Sequence, residues 1–228
     1  VNMLNRNLDL DIQDYVSVNF LAVADVVDLL GGIDLDLTDE EVVHMNNYCV
    51  ETSEITGKKY KKIEPEVAGT YHLNGVQAVS YSRIRYTEGG DFQRTSRQRL
   101  VIEKIAEKAK KADLSTINKI IDAVFPEITT SFTSGEIVKM STSLLQYSIG
   151  DNEGFPMDNE TPDSIPGYQG SYVVPKGLEE NVIKLHKFLF PDEDYTPTDT
   201  VKEISDHIKD VTGIYPDDSE DSTEDNEE

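Results

Sequence analysis

The run IQDYVSVNFLAVADVVDLLGGIDLDL, residues 12–37, sets the fold class. Over Ile12–Phe20, apolar Ile12, Tyr15, Val16 and Val18 fall among polar neighbours, which predicts a strand. Leu21–Leu30 then carries apolar residues at helical spacing and stops at Gly31-Gly32. Glycine after a helix is a stop signal because it takes positive φ without steric cost. Ile33, Leu35 and Leu37 alternate with Asp34 and Asp36, the pattern of a half-exposed strand. Strand, helix, strand is an α/β opening, with the sense of strand pairing left open.

Downstream, Thr38–Ile63 is polar and lysine-rich near its end, and predicts a short helix followed by a mobile loop. Gly69–Ala78 reads as a short helix or strand lead-in, Val79–Tyr86 as a strand and Thr95–Ala112 as a helix. Leu114–Phe125 and Ser134–Tyr147 are amphipathic, the second with Thr133 or Ser134 placed to cap it. Residues 150–168 are rich in Gly, Pro and Asp and predict a long loop. A short strand at Ser171–Pro175, a helix at Leu178–Phe190 and a further short helix at Val201–Ile208 complete the pattern. The expected organisation is one folded unit over residues 1–190, then a linker and acidic tail over 191–228.

Composition narrows the function. A chain of 228 residues with 37% hydrophobic content can close one sizeable core. No apolar run approaches the roughly 20 residues of a spanning helix. Net charge is -23, which opposes non-specific nucleic-acid binding, since that depends on Lys and Arg neutralising phosphates. The final stretch, Asp217–Glu228, is almost wholly acidic and polar and is expected to be disordered. The single cysteine, Cys49, allows no disulfide within the chain. His44 and Cys49 lie five apart in a polar segment, which is the surface of a helix or loop sooner than a metal site.

Arginine placement is the strongest chemical signal. Of six arginines, five (Arg83, Arg85, Arg94, Arg97 and Arg99) fall between Tyr81 and Leu100, while elsewhere positive charge is carried almost entirely by lysine. Guanidinium offers a planar fork for phosphate or carboxylate oxygens and stays charged in any setting. On a strand, Arg83 and Arg85 would share one face. Gly89-Gly90 allows a turn, and Asp91 stands where it can cap the next helix. In that helix Arg94, Gln98, Val101 and Ile105 form one stripe, polar at the N-terminal end and apolar further in. Two strand arginines facing a helix start that carries Arg94 and Gln98 would clamp a pyrophosphate. The competing reading is a set of surface ion pairs, each contributing about 0–1 kcal/mol. Arg97 and Arg99 are expected at the surface or behind the clamp, and Asp91 alone reads as a cap before it reads as a base.

At these residues the chain resembles a known family. LNGVQAVSYSRIRYTEGGDFQRTSRQRLVIEKI, residues 73–105, is similar to the LytR–CpsA–Psr signature: a Leu-Asn-Gly-x-x-Ala lead, an Arg-x-Arg strand, then Asp-Phe-x-Arg-x-x-Arg-Gln. Residues 14–37 resemble that family's strand–helix–Gly-Gly–strand segment, and SYVVPKGLEENVIKLHKFLF, residues 171–190, resembles its C-terminal part.

The resemblance implies a three-layer α/β/α fold around a central mixed sheet, and an apolar pocket for a polyprenyl tail. It also implies a pyrophosphate head group held by arginines, usually with Mg²⁺. Arg83, Arg85, Arg94 and Gln98 match the family's head-group positions, and Asp91 matches its acidic position, as base or near the metal. The implied activity is a phosphotransferase that attaches polyprenyl-pyrophosphate-linked glycopolymer, of teichoic acid or capsule type, to peptidoglycan outside a membrane-anchored enzyme's own cell membrane. The family's upstream Asp-x-Arg and Ser-Ile-Pro-Arg-Asp motifs do not occur here. The chain is therefore expected to be part of a longer protein, with its membrane anchor and metal ligands elsewhere. Two alternatives accompany this reading: a lipid-phosphate or glycopolymer-binding module without catalysis, and the transcriptional attenuator that some members are labelled. Net charge and the lack of a basic recognition helix oppose the second.

Overall fold

The computed structural model describes residues 1–87, 90–143 and 146–217. The chain divides into two compact units, residues 14–152 and residues 1–13 with 153 onward. Helix α1 (Asn2–Leu8) belongs to the second unit and is taken up with it below.

The larger unit opens with β1 (Val16–Val18) and α2 (Phe20–Leu29). The strand expected over Ile12–Phe20 is only three residues long, because Asn19 starts the helix early: its side chain accepts from the Ala22 N–H at 2.8 Å. Gly31 and Gly32, both at positive φ, turn the chain into β2 (Ile33–Leu37), whose burial alternates as its sequence does.

Next comes α3 (Asp39–Thr56), 18 residues where a short helix and mobile loop were expected. Its start is a complete capping box, in which the Thr38 side chain accepts from the Glu41 N–H and the Glu41 side chain accepts from the Thr38 N–H. Val42, Met45, Asn46, Cys49, Thr52 and Thr56 form its buried stripe, half of it polar. Buried Asn46 makes that affordable by exchanging two hydrogen bonds with the Ile63 backbone, at 3.0 and 3.1 Å.

Strand β3 (Gly69–Leu73) pairs antiparallel with β2, Ile33 opposite Leu73. The strand expected over Val79–Tyr86 is instead a helix, α4 (Gly75–Ser82), started by an Asn74–Gln77 capping box. Residues 75–81 are all buried, the polar Gln77 and Ser80 included, so no face is left to solvent. Gly75 is the close approach that seats it: a Cβ there would stand 2.2 Å from the Ala24 carbonyl oxygen of α2. Helix α5 (Gly90–Ala109) and α6 (Leu114–Val124) follow, and a 3₁₀ turn at Phe125–Glu127 leads to β4 (Ile128–Thr130). β4 pairs antiparallel with β1. Thr133 bonds Glu136 at the head of α7 (Ser134–Thr142).

One core joins these elements: Val27, Ile33, Leu35, Leu37, Val42, Met45, Leu73, Val76, Ile84 and Val101 among others. Cys49 lies within it, and burial raises its thiol to about 11.

The smaller unit holds β5 (Asn159–Glu160), β6 (Val174–Pro175), α8 (Leu178–Leu189) and α9 (Asp199–Thr212), with α1. Leu8 packs against Leu178, Val182 and Val201. His186 stacks on Tyr195 at 3.5 Å and bonds the Leu8 carbonyl at 2.8 Å. Residue 190, the boundary read from the sequence, falls inside this unit, and α9 occupies much of the segment read as linker. The acidic run from residue 218 lies outside the described residues.

The chain is mixed α/β, as its opening indicates. Among the described residues the strands form three two-stranded antiparallel ladders and not one central sheet. The strands flanking α2 do not pair with each other: β1 takes β4 and β2 takes β3. No described helix is long and apolar enough to cross a membrane.

Candidate functional site

Three helices of the larger unit, with the end of β1, line a half-open cavity of about 250 Å³. Val18, Phe20 and Val23 line it from β1 and α2, Val79 and Ser82 from α4, and Gln98, Val101 and Ile102 from α5. Its wall is apolar except for Asn19, Ser82 and Gln98.

Arg83 stands at its rim. The residue follows the last turn of α4, where its backbone N–H donates to the Ser80 carbonyl at 3.1 Å. A cation there complements the partial negative charge of a helix C-terminus. Its guanidinium lies 4.7 Å from the centroid of Phe20, a cavity-lining ring, and 5.3 Å from that of Tyr48 on α3. Nη1 donates to Thr52 Oγ1 at 3.0 Å and Nη2 to Glu51 Oε2 at 2.7 Å. Arg83 is therefore stacked on one side, anchored by α3 on another and only 17% exposed, while Glu51 is 59% exposed.

Arg85 sits two residues on and is exposed, in a segment without regular secondary structure whose Ile84 is buried. The strand face proposed to align it with Arg83 does not exist, because α4 runs to Ser82. Both arginines still act on one group, Tyr48: burial and then Tyr86 raise its phenol above the ordinary value, while Arg83 and Arg85 pull it down. Gln98 lines the cavity from α5, and Arg94, one turn earlier on the same helix, is half-buried. α5 begins at Gly90, so Asp91 is in its first turn, but the Asp91 side chain lies outside the described residues. Gln98 lines the cavity, Arg83 stacks on Phe20 of its wall, and Arg85 flanks the same aromatic cluster.

Of the two places expected for Arg97, at the surface or behind the clamp, burial excludes the surface. Arg97 is 7% exposed and donates from Nε to Glu41 Oε1 at 2.9 Å. It also donates to the Ile84 carbonyl at 3.4 Å and to Thr87 Oγ1 at 2.8 Å. It fixes both flanks of the segment that carries Arg85 and Tyr86. Arg99 pairs with Asn152 and Ser96. The sequence reading missed Phe20, Tyr48, Thr52 and Tyr86. Of these only Phe20 carried a signal, as the apolar end of the first run.

Among the described residues no three His, Cys, Asp or Glu side chains group so as to hold a metal ion. The Asp91 carboxylate, which the resemblance sets near a metal, lies outside the described residues.

Comparison with known proteins bears on the family. The chain is 32% identical over 145 residues to Biofilm regulatory protein A of Streptococcus mutans, covering 63% of this chain and 32% of that protein. It is 28% identical over 217 residues to the polyisoprenyl-teichoic acid–peptidoglycan teichoic acid transferase TagV of Bacillus subtilis, covering 86% and 47%. The chain thus spans about half or less of the length of these curated relatives. Among solved structures, a protein of Enterococcus faecalis described as a transcriptional regulator shares the fold at a TM-score of 0.64, with 22% identity over 95% of this chain and 73% of that one. The B. subtilis TagV structure gives a TM-score of 0.54 at 22% identity, covering 85% and 69%. The family model described as the LytR_cpsA_psr family matches residues 1–172, and the chain belongs to that family.

Proposed function

We propose that this chain carries the lipid and head-group half of a site that transfers a polyprenyl-pyrophosphate-linked glycopolymer onto peptidoglycan. One observation carries the reading: the Arg83 guanidinium stacks on Phe20, a wall of the apolar cavity, so that a charged fork and a hydrocarbon slot share one boundary. A prenyl chain would lie against Val18, Val23, Val79 and Ile102, gaining about 25 cal/mol per Å² of apolar surface removed from water. The diphosphate would take the fork of Arg83, with Gln98 donating from α5. Glu51 holds that fork at present and is exposed enough to swing aside for the anion. Relatives named teichoic acid transferases support the substrate class.

The step is a phosphoryl transfer. A peptidoglycan hydroxyl oxygen bonds to the sugar-proximal phosphorus, the bridging P–O bond breaks, and polyprenyl phosphate leaves with that bond's electron pair. Arg83, Arg85 and Arg94 offset charge on the non-bridging oxygens. Asp91, by its place in the family motif, takes the hydroxyl proton. The reaction belongs outside the cell membrane, and an anchor would be supplied by another part of the protein. A role in DNA binding is opposed by the net charge of -23.

The test uses the full-length protein. Each charge-assisted contact contributes about 1.5–3 kcal/mol, so Arg83→Ala and Arg94→Ala are each expected to lower lipid-pyrophosphate turnover about 10- to 100-fold. Wall attachment of glycopolymer should fall with it. Unchanged turnover and attachment in both variants would overturn the assignment. Tight donor binding with no turnover in the unaltered protein would reduce it to a carrier.

A further inference from the structure

We infer that Tyr86, stacked on Tyr48 beside Arg83, is a sugar subsite that receives a pyranose ring of the glycopolymer donor. The inference rests on the pyrophosphate reading of Arg83 and extends it in one direction. Tyr86 is 73% exposed, yet it is not a loose surface ring. Its plane lies 17° from that of Tyr48 with centroids 6.5 Å apart, and His44 adds a third ring at 6.3 Å. The backbone around it is fixed from within, because buried Arg97 holds the Ile84 carbonyl on one flank and the Thr87 hydroxyl on the other. An aromatic face held out toward water by a buried guanidinium is organised before any ligand arrives, which lowers the ordering cost of binding.

Position selects the ligand. Arg83 touches Phe20 on one side and Tyr48 on the other, so apolar slot, guanidinium and aromatic surface follow one another in that order. A prenyl-pyrophosphoryl sugar has hydrocarbon, diphosphate and pyranose in the same order. One face of a pyranose presents C–H groups, which pack on an aromatic ring, and its rim presents hydroxyls. His44, with Glu40 at 3.8 Å, and the Glu51 carboxylate stand nearby to receive those hydroxyls.

The experiment measures binding of two probes to the full-length protein: a short-chain prenyl pyrophosphate, and the same lipid bearing N-acetylglucosamine. Tyr86→Ala is expected to weaken the sugar-bearing probe about tenfold and the bare lipid less than about twofold. Tyr86→Phe, which keeps the ring, should retain the unaltered affinity for both. If Tyr86→Ala weakens both probes alike, or neither, the subsite is wrong. If it weakens only a soluble peptidoglycan fragment, the ring serves the acceptor and the donor assignment is overturned. Arg83→Ala reports separately: loss of both probes keeps the pyrophosphate reading, and loss of neither removes it whatever Tyr86 does.

Discussion

Glu41 and Arg97 meet across the larger unit with a division of labour on the carboxylate: Oε2 accepts from the Thr38 backbone N–H at 3.1 Å, and Oε1 accepts from Arg97 Nε at 2.9 Å. One side chain thereby closes the start of α3 and neutralises a guanidinium that is 7% exposed. Nearby Tyr81 feels the same enclosure. Burial first, and then the Glu41 carboxylate, push its phenol up to about 12.

Removing one partner of a buried pair leaves an uncompensated charge, which costs about 3–5 kcal/mol. Arg97→Ala and Glu41→Ala are each expected to lower unfolding free energy by about that amount in urea titrations. The double variant should lose less than the two single losses together, because the second removal deletes the orphaned charge. A loss below about 0.5 kcal/mol for Arg97→Ala, typical of surface positions, would show that the pair is not buried in solution.

Gly75 gives a second expectation. The Ala24 carbonyl oxygen at 2.2 Å from a would-be Cβ is backbone and cannot rotate away. Gly75→Ala should therefore force α2 and α4 apart and destabilise by about 1–3 kcal/mol, although alanine favours helix over glycine. The denaturation midpoint checks this. A stabilised variant would mean that the helices cross less closely than described.

In the smaller unit Asp9 accepts from Tyr195 Oη at 2.6 Å, from the Thr198 N–H at 2.9 Å and from the Thr198 hydroxyl at 2.7 Å. Burial pushes its carboxyl up, but the bonds from Tyr195 and Thr198 outweigh that and hold it below the ordinary 3.8. A depressed carboxylate stabilises the fold above its unfolded-state pKa and loses that contribution as pH falls through the folded value. Asp9→Asn should therefore be less stable than the unaltered chain at neutral pH, and the gap should narrow once pH drops below about 4. Thermal melts of both proteins across that range provide the measurement, and a gap independent of pH would contradict it.

How much could be read from sequence depended on whether burial left a contrast. α2 and β2 were legible because Gly31-Gly32 separates a helical period from the alternation of Ile33, Leu35 and Leu37. α4 was not, because every residue from Gly75 to Tyr81 is buried, the polar Gln77 and Ser80 included, so polarity marks no outer face. α3 hid its length behind Asn46, Thr52 and Thr56, although Thr38 and Glu41 three residues later spelled its start. The arginine cluster drew attention to residues 81–100 but did not show how differently its members are placed. Nothing local could show that Arg97 turns inward, since its partner lies 56 residues upstream. Tyr48, from α3, reaches the rim by tertiary packing alone.

The ladder of β1 with β4 has a consequence for the order of assembly. Its ends are far apart in the chain: the Tyr15 N–H donates to the Ser131 hydroxyl across 116 positions, while β2, α3, β3 and α4 gather within residues 33–82. Contacts of short separation close first because less chain entropy is spent, so the hydrophobic centre can form before the floor of the slot exists. Val16–Val18 is exposed at every residue and has little apolar burial to resist fraying. The slot can thus gape at Val18 and Phe20 while the centre stays folded, and its amide protons there should exchange with solvent ahead of those in β2. Under the proposed function, a prenyl chain would then have a side entrance and need not thread in end-first.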